Sequence, residues 1–72
     1  MNYSQRIRNT REDNDLTQAQ ISELLKTSQS YYAQYENGKR KLPIDHLITL
    51  CKYYNLSADY LLGIIDEPRP LK

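Results

Sequence analysis

The apolar positions of this chain fall in short stripes spaced three or four residues apart, cut by residue types that start or stop helices. Tyr3, Ile7 and the aliphatic stem of Arg11 recur at i, i+4 and i+8, which predicts a first helix of about ten residues. Its end falls near Asn14 and Asp15, residues that tolerate left-handed backbone. Thr17 stands at an N-cap position before a second helix with Ile21, Leu24 and Leu25 on one face, and Lys26, Thr27 and Ser28 interrupt it. Ser28 caps and Gly38 stops a third helix that turns Tyr32 and Tyr35 inward. Pro43 opens a fourth, carrying Leu47, Leu50, Cys51 and Tyr54 and ending at Asn55. Ser57 then caps a last turn or two, through Asp59, Leu61 and Leu62 to Gly63. No segment alternates as a strand does. The remaining IIDEPRPLK has two prolines and little periodicity, so residues 1–63 read as one all-α domain and residues 64–72 as an extended tail.

The second and third helices are short, separately capped and joined by about three residues, the outline of a helix-turn-helix. On a helical wheel at about 100° per residue, Tyr31, Tyr32 and Tyr35 share one side of the third helix. Gln29, Ser30, Ala33, Gln34 and Asn37 share the other, within an arc of roughly 140° that carries no charge. A solvated helix face usually recruits Lys, Glu or Arg. Amides, a hydroxyl and a methyl are instead the groups that read base edges in a major groove: Gln and Asn can pair with adenine, Ser can donate or accept, and Ala can touch a thymine methyl. Ser28 and Gln29 lie at the end of the helix that first meets the bases. Read alone, the arc also fits polar filler.

Its flanks favour the DNA reading. Gln18 begins the second helix, where amide groups and the positive end of the helix dipole can hold a phosphate. Asn37, at the end of the arc, and Lys39, Arg40 and Lys41, which follow Gly38 directly, are placed for contact with the DNA backbone beside the uncharged face. Placement matters because the bulk charge is only +1, from ten basic and nine acidic residues over 72 positions. A chain this small holds one modest core.

Three blocks, LTQAQISELL, TSQSYYAQYENGKRKLP and YNLSADYLLG, arrive in an order that resembles the Cro/CI-type (XRE) helix-turn-helix family of repressors. The resemblance covers roughly Tyr3 to Gly63. It implies a compact five-helix bundle of the lambda-repressor-like DNA-binding type, in which helices two and three form the DNA-binding unit. Carried over position by position, it implies that Gln18 anchors a phosphate, that Gln29 pairs with a base, and that Ser28, Ser30 and Gln34 face the groove. It also implies an ion pair between Arg11 and Glu36, tying the first helix to the third. Lys26 stands where many members have glycine and Thr27 where many have Ile or Val, so the turn departs from the family pattern. Ser22 is small enough for the close crossing of the two motif helices.

Other residues carry less. His46 is the only histidine and no Cys/His cluster joins Cys51, so neither a metal nor a cofactor is expected; His46 reads as a surface residue and Cys51 as core filler. Of the tyrosines, Tyr31 is the one that can reach the groove edge or the DNA backbone. No phosphate loop, nucleophile elbow or catalytic carboxylate pair is present, so no enzyme is expected. The N-terminus lacks a signal-peptide stretch and no apolar run approaches the ~20 residues of a membrane span, which predicts a cytoplasmic protein with no membrane partner. The expected function is a transcriptional regulator, a repressor, binding double-stranded DNA as a homodimer. An antitoxin that also binds its operator and a protein-interaction module on the same fold are the alternatives.

Overall fold

Helix starts are fixed by side chains that accept the otherwise unpartnered N–H groups of a first turn. The computed structural model describes residues 2–72, and among these are five helices and no strand: α1 (Tyr3–Asp13), α2 (Gln18–Leu24), α3 (Gln29–Asn37), α4 (Ile44–Tyr54) and α5 (Ala58–Leu61). Asn2 Oδ1 accepts from the Gln5 N–H at 2.9 Å, and Ser28 Oγ from the Tyr31 N–H at 3.1 Å. Thr17 and Gln20 form a reciprocal capping box at 3.1 and 2.8 Å. Ser57 Oγ accepts from the Tyr60 N–H. Pro43 starts α4 without a side-chain bond, its ring fixing φ at −62°.

Helix stops are equally regular. Asp15, Lys26, Gly38, Asn55 and Gly63 all have positive φ and stand at or just past the ends of the five described helices. Asp15, Gly38, Asn55 and Gly63 are the types that adopt this conformation readily. Lys26, at φ +58°, is not, and its Cβ is crowded against the backbone.

The core gathers around α3. Tyr32 and Tyr35 are fully buried there, edge to face with centroids 6.1 Å apart, among Ile7, Ile21, Leu25, Leu50 and Leu61. Such a pair adds about 0.5–1.5 kcal/mol beyond its buried area. α3 packs on both α2 and α1, while α5 joins α4 to α1. Ser22, buried beneath the α2–α3 contact, satisfies its hydroxyl by donating to the Ala19 carbonyl at 2.8 Å. Cys51 is buried, and burial pushes its thiol up.

Three placements differ from the sequence reading. His46 is half-buried, its ring edge-on to that of Tyr35 on α3 with centroids 5.8 Å apart. Tyr31 does not share the buried side with Tyr32 and Tyr35 but is 44% exposed. Residues 64–72 lack helix but fold back on the bundle: the Ser57 N–H donates to the Arg69 carbonyl at 2.8 Å and the Leu71 N–H to the Asn55 carbonyl at 3.2 Å. Arg6 clasps this segment. Although only 4% exposed, it donates to the Tyr60 and Ile65 carbonyls at 2.7 and 3.0 Å, pairs with Asp66 at 3.4 Å and lies over the Tyr60 ring.

Candidate nucleic-acid interface

The exposed surface of α3 is uncharged because the one acid in its sequence is turned inward. Glu36 lies on the buried side, where Arg11 of α1 grips its carboxylate through Nε at 2.8 Å and Nη2 at 3.1 Å. The remaining Arg11 Nη1 donates to the Leu16 carbonyl at 2.7 Å, which ties the α1–α2 link to the same knot. Gln18 Nε2 adds a donor to Glu36 Oε1 at 3.1 Å. The side chains of Arg11 and Glu36 are 12% and 2% exposed, so water screens the pair little. Burial alone pushes the Glu36 carboxyl up, but the hydrogen bonds from Arg11 and Gln18 and the neighbouring Tyr32 hydroxyl outweigh it, and the net shift is downward. The hydrogen bond to Glu36 raises Arg11 in turn.

The Tyr32 hydroxyl is buried beside Glu36 without reaching hydrogen-bond geometry, and the Tyr54 hydroxyl is also buried without a partner. Burial pushes both phenols up, Tyr54 to about 12.

With Glu36 withdrawn, Ser28, Gln29, Ser30 and Asn37 are exposed and Ala33 and Gln34 half-exposed, so the arc expected from the sequence is accessible along α3. Gln18 is half-buried at the start of α2, and its amide already serves Glu36, so its donor is shared with the fold. Lys39, Arg40 and Lys41 are all exposed. They do not form a loose loop, however: the Lys39 and Arg40 N–H groups both donate to the Gln34 carbonyl, at 3.0 and 3.2 Å, wrapping the run against the end of α3. The Arg40 guanidinium lies 4.2 Å over the Tyr31 ring and its Nε donates to Gln34 Oε1 at 3.1 Å. Nothing in the sequence pattern pairs Arg40 with Tyr31, nine positions away. The Arg6 clasp was equally hidden, since a single arginine carries no local signal of partners 54 to 60 positions away.

Among the described residues no group of three or more His, Cys, Asp or Glu could hold a metal ion, and no helix is long and apolar enough to cross a membrane.

The profile of a helix-turn-helix domain family matches residues 4–67. Over 68 residues the chain is 40% identical to the uncharacterized HTH-type transcriptional regulator YobD of Bacillus subtilis (strain 168), covering 94% of this chain and 61% of that protein. It is 33% identical to the HTH-type transcriptional regulator ImmR of the same organism over 63 residues, covering 88% of this chain and 50% of that one. The chain thus spans roughly half to three-fifths of the length of these relatives. A crystal structure of a transcriptional regulator from Listeria innocua superposes with a TM-score of 0.83 at 32% identity, covering 90% of this chain and 61% of that one. The capped α2–α3 pair, its five-helix setting and the Cro/CI-type (XRE) resemblance of its three sequence blocks therefore agree with a match over almost the whole chain: the protein belongs to the helix-turn-helix domain family.

Proposed function

We propose that the chain is the sequence-specific DNA-binding part of a transcriptional regulator, with α3 entering the major groove of duplex DNA. The observation that carries this reading is the exposed, uncharged polar arc of α3, kept free of negative charge by the burial of Glu36 against Arg11. Ser28, Gln29, Ser30 and Gln34 are the base-facing side chains, with Gln29 at the end of α3 that leads into the groove. Gln18, Asn37, Lys39 and Lys41 hold the DNA backbone; their contacts set position and affinity without reading sequence. The names of the relatives, all HTH-type transcriptional regulators, support the same assignment.

The domain acts on DNA as a symmetric pair. A single small module buries only ~600–1,000 Å² of protein surface on DNA, too little for tight specific binding in most cases. Exposed apolar side chains on α4 (Ile44, Ile48) and in the tail (Ile64, Leu71) offer surface for such pairing. Repression is the simplest output, because occupying a site blocks it without any further surface. Gel-shift titration against duplex DNA over a range of salt tests the reading. Binding should weaken along a straight log–log line with a slope of about −0.9 per phosphate contact. Replacing Lys39 and Lys41 by alanine should flatten that slope and weaken every site alike, whereas an unchanged slope would remove them from the interface.

A further inference from the structure

We propose that Arg40 reads a base, by donating to the acceptor edge of a guanine beside α3, and that Tyr31 and Gln34 hold it in the reading position. The proposal rests on the DNA reading above and changes one part of it, since the sequence alone places Arg40 with the phosphate contacts. Three restraints act on this residue. Its backbone N–H is fixed to the Gln34 carbonyl at 3.2 Å. Its guanidinium carbon lies over the Tyr31 ring, 4.2 Å from the centroid, and Nε is bound to Gln34 Oε1 at 3.1 Å. Tyr31 is 44% exposed, so the stack stands at the rim of the uncharged arc.

A charge that only neutralises a phosphate needs no fixed plane, and a flexible lysine serves as well. An arginine whose plane and rotation are fixed has lost that freedom before binding and presents a flat fork. Nε is taken by Gln34, which leaves the two Nη groups as parallel donors, the arrangement that fits O6 and N7 of guanine. Gln34 is altered by the same bond. With Oε1 engaged by Arg40, its remaining group is chiefly the amide N–H pair, so the two side chains together offer donors. Guanine presents two acceptors in the major groove, whereas adenine presents one acceptor and one donor. Tyr31 touches no base in this scheme and is a positioning residue.

Selection of bound sites from random duplex DNA by the full chain, with matched thermal melting of every variant, tests the assignment. The parental chain should prefer guanine at one position of each half-site by on the order of 10- to 100-fold. Arg40→Lys keeps the charge but not the fork, so it should flatten that position while retaining the salt dependence of binding. Tyr31→Ala should weaken the same preference and Tyr31→Phe should restore it, because the ring and not the hydroxyl carries the stack. Gln34→Ala should weaken it as well. If Arg40→Lys keeps the parental profile, Arg40 is a phosphate contact and the proposal is wrong. A profile altered by Arg40→Lys but untouched by Tyr31→Ala and Gln34→Ala overturns the positioning part. If the parental chain binds no duplex at all, the DNA reading itself has failed, an outcome distinct from both.

Discussion

At the scale of single residues, Glu36 does two jobs with one placement. Withdrawn from the surface, it leaves α3 without a negative charge that would repel phosphates; gripped by Arg11, it fastens α1 and the α1–α2 link to α3. Breaking a buried pair from one side strands a charge, so Arg11→Met should destabilise the fold by about 3 kcal/mol, the low end of the usual range because Arg11 keeps some contact with water. Chemical denaturation of the variant checks this, and a loss within error of zero would contradict it. The pH dependence has a definite sign. Because the Glu36 carboxyl is lowered in the fold, its contribution is present above the unfolded value of about 4.3 and is lost as pH falls through the folded one. Melting curves of Glu36→Gln should therefore show a weaker loss of stability in acid than the parent. Tyr54 has the opposite sense: its phenol is raised to about 12, so its share is present below pH ~10 and is lost as pH rises toward the folded value. Its hydroxyl has no hydrogen-bond partner, and Tyr54→Phe should melt at or above the parental temperature and resist alkali better.

At the scale of elements, caps and stops made the fold readable. Thr17, Ser28 and Ser57 cap where their residue types predict, and Gly38 and Asn55 take the left-handed backbone expected of helix ends. These are local preferences, each decided within a few residues, and so they survive without knowledge of the tertiary structure. Arg11 and Glu36 were legible only through the family resemblance, because 25 positions separate them. The Arg6 clasp, the return of the tail and the stack of Arg40 on Tyr31 were not legible, since each joins positions that no helical period relates. Lys26 makes the turn a test of this local logic. It holds φ +58° without being glycine, and Lys26→Gly should raise stability by up to about 1 kcal/mol while leaving the preferred DNA sequence unchanged. Gly38→Ala should do the reverse. An added Cβ would meet only Ser4 Oγ at an ordinary 3.8 Å, so the cost, about 1–2 kcal/mol, is one of backbone conformation at φ +78°. Equal melting temperatures for parent and variant would contradict either expectation.

At the scale of the whole molecule, a formal charge of +1 would draw the protein only weakly toward nucleic acid, and function depends on where the charges stand. Lys39 and Arg40 are wrapped against the end of α3 with Lys41 exposed beside them, while the acid within α3 is neutralised inside. The two glutamines that begin α2 and α3 are not equivalent in this arrangement. Gln18 shares its amide with Glu36, so Gln18→Ala should cost about 1 kcal/mol of stability and weaken binding without changing the preferred sequence. Gln29 is exposed at the start of α3 and serves no other partner in the fold's described hydrogen bonds. The most direct test of the claim that α3 reads duplex DNA is a selection of bound sites from random duplexes by the parental chain and by Gln29→Ala. The account predicts a pseudo-palindrome with half-sites about one helical turn, ~34–36 Å, apart, and a single position in each half-site whose preference collapses in the variant. Enrichment of no sequence by the parent, or an identical profile from Gln29→Ala, would contradict it.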